Sequence, residues 1–280
     1  MEIPHSVKEL IRIALEEDIG SGDITTSLLI PEKHESNALI TAKGDFILSG
    51  IPFVKEVFAL LDQEIKFSVI TNDGSKVTKG TKLAELQGKT HSILSGERVS
   101  LNILQRLSGI ATLTNMFAER IKGLNTTIVD TRKTTPGLRF MEKYAVRCGG
   151  GSNHRFGLFD GILIKDNHIE AVGGIRDALR ITKEGHPLTK IEIEVKNLTE
   201  LKEAIEGGAE IIMLDNMSIE DMNEAVQIVR KTKKGIILEA SGNVSLDNVR
   251  QIAETGVDWI SIGALTHSAP AADISMKIVR

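Results

Sequence analysis

From residue 126 onward the chain repeats one pattern. A short apolar run ends in polar groups, and a helical segment follows. The runs are "TTIVDTRK", "GILIKDN", "KIEIEVKN", "EIIMLDN", "GIILEASGN" and "DWISIGAL". Between most of them lie "GGIRDALRITKEG", "LTELKEAIEGGA", "SIEDMNEAVQIVRKTKK" and "SLDNVRQIAETG", all with helical periodicity. Near-continuous apolar strands alternating with helices predict parallel βα units buried on both faces. Right-handed crossovers then close such units into a barrel or wind them into an open sheet. The strand ends favour the barrel, because each carries polar, chemically capable residues, and barrels present such groups on one face. Only six runs are clear, so the barrel is expected to be incomplete or open.

The first hundred residues read differently, as mixed α and β. "SVKELIRIALEEDI" has helical spacing, with Ser6 as the expected N-cap. "SNALITAKGDFILSGI" reads as strands around a Gly-Asp turn, and "PFVKEVFALL" as a helix. The stretch from Ile65 to Leu94 is strand-like, with turns at Asn72-Asp73-Gly74 and Lys79-Gly80. "GERVSLNILQRLSGIATLTNMFAERIKG" is a long helical bridge, with Gly109 as its expected break.

Composition bounds the function. A net charge of −4 argues against nucleic-acid or membrane-surface partners. A single cysteine, Cys148, excludes an intrachain disulfide and suits a reducing cytoplasm. The amino-terminal segment lacks the apolar core of a signal peptide, and no apolar stretch is long enough to span a bilayer.

In a mildly acidic chain, cations nevertheless gather at the first barrel strands: Arg132, Lys133, Arg139, His154, Arg155 and Lys165, with Arg98 before the long helix. Two unit charges about 4 Å apart repel by roughly 4 kcal/mol at an effective dielectric of 20. Such a cluster calls for anionic guests, phosphates or carboxylates, although each cation alone could equally sit on a solvated rim. Glu194 and Asp215 end successive strands and should stand side by side. They read as Mg²⁺ ligands shared with substrate, with general-base work or simple pairing to the cations as the alternatives. "EASGN" and "SIGALTHS" end the last two strands, where a barrel phosphate site is expected, and Gly242 and Gly263 would allow close approach. "GGGSNHR" is not a dinucleotide fingerprint and reads as a flexible loop carrying His154 and Arg155 over the site. His5, His34, His91 and His186 read as surface groups.

The stretch "TRKTTPGLRFMEKYAVRCGGGSNHRFGLFDGILIKDNHI" closely resembles the signature of the quinolinate phosphoribosyltransferase family. The likeness extends through "GDITT", "GERVSLNILQ", "EVKN", "MLDN", "EASGN" and "SIGALTHS". It implies an α/β fold: an N-terminal α/β sandwich over residues 1–108, completed by a C-terminal helix over 268–280, and an open, roughly seven-stranded parallel α/β barrel over 109–267. It implies phosphoribosyl transfer from phosphoribosyl pyrophosphate to quinolinate with decarboxylation, for NAD biosynthesis in the cytoplasm. A dimer or hexamer and Mg²⁺ are implied with it. The family's quinolinate positions fall on Arg132, His154, Arg155 and Lys165, with Arg98 reaching in from a partner subunit. Thr131 and Arg139 join the substrate-binding set. Lys133, Glu194 and Asp215 match positions that handle the ribose-pyrophosphate, the metal and catalysis. Ser241, Gly242, Asn243 and Gly263 match the 5′-phosphate cradle. Competing readings are a transferase taking nicotinate, the paralogue associated with molybdate-transport genes, a Schiff-base lyase using Lys165, and a non-catalytic phosphate-binding module.

Overall fold

The computed structural model describes residues 2–186, 188–232 and 234–279. In chain order the elements are α1 (His5–Ile19), α2 (Ile24–Leu29), β1 (Glu35–Ala42), β2 (Phe46–Ile47), α3 (Ile51–Leu61), β3 (Lys66–Val69), β4 (Lys76–Val77), β5 (Lys82–Lys89) and α4 (Thr90–Arg120). They continue with β6 (Thr127–Val129), α5 (Arg139–Cys148), β7 (Ile162–Ile164), α6 (Asp166–Val172), α7 (Ile175–Gly185), β8 (Ile191–Val195), α8 (Leu198–Gly207) and β9 (Ile211–Asp215). The last are α9 (Ile219–Lys231), β10 (Ile237–Ser241), α10 (Val249–Glu254), β11 (Trp259–Ser261), α11 (Ala264–His267) and β12 (Ile274–Val279). By compactness these divide into two units. One holds residues 1–115, 134–150 and 265–280; the other holds 116–133 and 151–264.

The first unit is built on an antiparallel sheet in the order β12-β1-β5-β3. β1 alternates exposed and buried residues, so Ala38, Ile40 and Ala42 face inward. They pack with Leu83, Ala84 and Leu86 of β5, Ile274 and Met276 of β12, and Val54, Phe58, Ile93 and Leu104 from α3 and α4. The expected C-terminal helix is instead β12, paired antiparallel with β1 along its length. Its alternating Ile274 and Met276 supply the inward face, and the adjacent β1 edge offers the backbone partners that a helix would forgo. The expected break in the long helix is absent as well. α4 runs continuously through Gly109, where a Cβ would collide with the carbonyl of Pro270. Gly109 serves close backbone approach, not a kink. α1 starts two residues earlier than expected, with Pro4 as its N-cap and Ser6 inside the helix. Two of the histidines read as surface groups have partners. His34 Nδ1 lies 2.7 Å from Thr90 Oγ1, and His91 Nε2 lies 2.8 Å from the Ile30 carbonyl.

The second unit is a parallel sheet in the order β6-β11-β10-β9-β8-β7. β8, β9 and β10 are almost wholly buried, as strands covered on both faces must be. Residue 152 adds a parallel bridge on the outer side of β6, at Val129. "GGGSNHR" is therefore not a loose loop at this point. Ser152 N donates to the Ile128 carbonyl at 2.9 Å, and Asp130 N donates to the Ser152 carbonyl at 3.1 Å. The six strands curl around a common interior, since residues on or directly after each of them line the same cavity. Among the described residues, no helix is long and apolar enough to cross a membrane.

Candidate active site

Alternation along each strand decides what faces the interior. In β8 the sequence "IEIEV" turns Ile191, Ile193 and Val195 outward and Glu192 and Glu194 inward. In β9 Met213 and Asp215 face inward, and in β10 Glu239 and Ser241 do the same. Their carboxyl-terminal ends open into a cavity of about 340 Å³. Its wall carries Thr131, Arg132 and Lys133 after β6, His154 and Arg155 after the Ser152 bridge, and Lys165 after β7. Glu194, Asp215, Glu239, Ser241 and Ser261 complete its polar lining.

Of the residues singled out from sequence, nine line this cavity: Thr131, Arg132, Lys133, His154, Arg155, Lys165, Glu194, Asp215 and Ser241. Gly242 and Asn243 follow Ser241 directly in the turn after β10, and Gly263 sits between β11 and α11. Arg98 on α4 and Arg139 at the start of α5 belong to the first unit, where Arg139 Nε donates to Thr134 Oγ1 at 3.0 Å. His168 lies in α6, where its Nδ1 accepts from Lys165 N at 2.9 Å.

The cations sense one another. Burial, and next to it the charge of Arg132, push the Arg155 pKa down. Arg155 Nη1 donates to the Gly161 carbonyl at 2.8 Å, while its buried Nε has no hydrogen-bond partner among the described residues. Ser261 Oγ is buried in the same wall with no partner among the described residues. A buried donor without a partner is costly, and a ligand in the cavity would relieve it.

On the acidic side, burial and the charge of Asp215 raise the Glu194 pKa, and Lys165, whose Nζ stands 3.7 Å from Glu194 Oε2, offsets part of that rise. Two mutually destabilising carboxylates with only oxygen donors fit a hard divalent cation.

Below them His154 meets two glutamates to which the sequence alone assigned no separate role, Glu192 and Glu239. His154 Nε2 sits 2.9 Å from Glu192 Oε2 and 3.3 Å from Glu239 Oε2. Burial alone would lower the His154 pKa, but the two glutamates outweigh it and raise it to about 10. Burial also raises the Glu192 pKa. On the other side of the ring, Arg155 N lies 2.8 Å from His154 Nδ1. Asp130, fully buried, holds the segment in place. Its Oδ1 accepts from His154 N at 2.9 Å and its Oδ2 from Asn153 Nδ2 at 2.6 Å. The signal for Glu192 was its even spacing from Glu194 in "IEIEV". For Glu239 it was a lone acid within "IILEAS", in step with Ser241.

A second cavity, about 550 Å³, opens at the amino ends of the same strands and shares His154 and Arg155 with the first. It is larger, but it lacks the paired Glu194 and Asp215 and the cations of the β6 and β7 ends.

The chain matches the family models described as quinolinate phosphoribosyl transferase N-terminal domain, over residues 23–108, and C-terminal domain, over residues 110–277. It is 46% identical over 267 residues to a Synechocystis protein named "Probable nicotinate-nucleotide pyrophosphorylase [carboxylating]", covering 95% of this chain and 90% of the relative. It is 44% identical over 291 residues to a Nicotiana tabacum protein named "Quinolinate phosphoribosyltransferase [decarboxylating] 1b", covering 98% and 83%. A solved nicotinate-nucleotide pyrophosphorylase from Francisella tularensis superposes with a TM-score of 0.94 at 44% identity, over 99% of this chain and 98% of that one.

Proposed function

The chain belongs to the quinolinate phosphoribosyltransferase family, and from that premise we propose that it transfers the phosphoribosyl group of phosphoribosyl pyrophosphate to quinolinate. The products are nicotinate mononucleotide, pyrophosphate and CO₂, a step in NAD biosynthesis. The observation that carries this reading is the convergence of Arg132, Lys133, His154, Arg155 and Lys165 on one cavity that also holds Glu194 and Asp215. A diacid and a polyphosphate are the guests that neutralise such a wall.

In this reading Arg132, His154, Arg155 and Lys165 take the two carboxylates of quinolinate and aim its ring nitrogen at the anomeric carbon. Thr131, Lys133 and Arg139 contribute to substrate binding, and Ser241, Gly242, Asn243 and Gly263 cradle the 5′-phosphate. Glu194 and Asp215 would hold Mg²⁺, which when bound draws negative charge from the leaving pyrophosphate. The bond from the anomeric carbon to pyrophosphate oxygen breaks, and its electron pair leaves with the pyrophosphate. The ring nitrogen forms the new bond and becomes cationic. Glu194 and Asp215 also favour the positive charge that develops on the ribose. The cationic ring then holds the electron pair left when the adjacent carboxylate departs as CO₂, and a proton takes its place. Arg98 completes the site of a partner subunit in a cytoplasmic dimer or hexamer.

The test is release of labelled CO₂ from carboxyl-labelled quinolinate. Release should require both phosphoribosyl pyrophosphate and Mg²⁺. Turnover of nicotinate in place of quinolinate, or no release from quinolinate at all, overturns the proposal.

A further inference from the structure

Among the described residues, two that are not glycine adopt a left-handed backbone: Asn216, at φ 52°, and Asn243, at φ 49°. Asparagine tolerates that region better than most residues, but it is still uncommon there. The two lie on different strand ends, one just after β9 and the other two residues after β10. Their side chains meet. Asn243 Nδ2 donates to Asn216 Oδ1 at 3.0 Å, and Asn216 Nδ2 donates to Asp215 Oδ1 at 3.1 Å. Only this orientation of the Asn216 amide satisfies both neighbours, since a carboxylate can only accept and an amide NH₂ can only donate.

The backbone fixes the same arrangement. Asn216 N donates to the Ser241 carbonyl at 2.9 Å, and Asn248 Nδ2 donates to the Asn243 carbonyl at 2.9 Å. Between Ser241 and Asn243, Gly242 has a φ of 98°, and a Cβ there would collide with the Asn216 side chain. The glycine is thus required twice, by its backbone angle and by the amide that crosses over it. Two turns from separate strands are shaped around one side chain. Asn216 is not itself part of the cavity lining, whereas Asp215 and Ser241 are.

We infer that Asn216 is a positioning residue for the phosphoribosyl donor, its amide fixing the Asp215 carboxylate and the 242–243 turn relative to each other. The inference rests on the reading above, in which Asp215 serves the pyrophosphate end of the donor and the 242–243 turn its 5′-phosphate. A single amide then sets the spacing between the two anionic ends of one substrate. The diacid, held by the cations on the β6 and β7 side, does not depend on it.

Asn216→Gly keeps the left-handed backbone available and removes only the side chain. Loss of two hydrogen bonds, one of them to a charged group, should weaken donor binding by about tenfold or more. Steady-state kinetics on the full-length enzyme should show the KM for phosphoribosyl pyrophosphate rising by that factor. The KM for quinolinate should stay within about twofold and the Tm unchanged, because neither is tied to the amide. Calorimetry with phosphoribosyl pyrophosphate alone should give the same weakening without turnover. An Asn216→Gly enzyme that binds the donor as wild type does, or that loses both substrates and thermal stability together, overturns the inference. Wild-type protein that binds no phosphoribosyl pyrophosphate overturns the reading of the site itself, and the inference falls with it.

Discussion

Each compact unit buries a glutamate completely, and the two are opposites. Glu142, in the first unit, has no exposed surface and is fully engaged. Its Oε1 accepts from Arg106 Nη2 at 2.9 Å and Thr135 Oγ1 at 2.8 Å, and its Oε2 accepts from Thr135 N at 3.0 Å. Glu239, in the second unit, is equally buried, yet neither carboxylate oxygen has a hydrogen-bond partner of good geometry among the described residues. Its nearest positive group is the His154 ring at 3.3 Å. Burial therefore does not distinguish architecture from chemistry here; satisfaction does. A carboxylate whose lone pairs are spoken for holds the chain together. One left wanting beside a cavity is a cost the fold carries for another purpose.

The sharpest way to break this contrast is at the satisfied end. Glu142→Ala leaves Arg106 without its carboxylate and should cost about 3–5 kcal/mol of stability, read from denaturant unfolding. A loss below about 1 kcal/mol would put Glu142 among ordinary surface acids. Next in size is Arg155→Ala. It should lower kcat/KM for quinolinate by about 10²–10³-fold, with the unfolding midpoint little changed, if that guanidinium neutralises developing or bound charge. Unaltered kinetics would remove Arg155 from the site.

The smallest effect is expected at Glu239→Gln, and it should appear as a change in pH dependence. The folded-state pKa of His154 is raised, so the stability it contributes is fully present below the ordinary histidine value of 6.5 and is lost as the pH rises toward about 10. Removing one of the two glutamates should pull the upper end of that window downward. Tm measured from pH 6 to pH 10 for both proteins decides it, and parallel curves would show that Glu239 does not help to hold the His154 proton.

Much of the barrel could be read from the chain because parallel strands buried on both faces leave a period that nothing else produces: "EIIMLDN" and "GIILEASGN" became β9 and β10 with their polar ends at the cavity. Arg132, Lys133 and Lys165 were legible for the same reason, since each follows a strand. The seventh stave was not. Ser152 bridges Val129 while the Asp130 carboxylate accepts from the Asn153 side chain and the His154 N–H, a nonlocal arrangement invisible to periodicity. The carboxy-terminal strand was missed because "ISMKIV" fits either period until a partner edge is known. Glu192 was not singled out, and Glu239 was read only as part of the polar end of its strand, although their parity with Glu194 and Ser241 announced them. Acids within apolar runs read locally as interruptions, and only the closed interior turns them into neighbours.

The pairing of β12 with β1 also dictates when this molecule can finish folding. Residues 35–42 are made well before their partner on one side, residues 274–279. A ribosome delivering the chain from its amino end holds the first unit with one strand edge bare until residues 274–279 have been made. Such an edge is open to pairing with other chains throughout that interval. Deleting residues 274–279 would make that condition permanent, so a change far from any substrate group would surface as aggregation before it surfaced as lost catalysis.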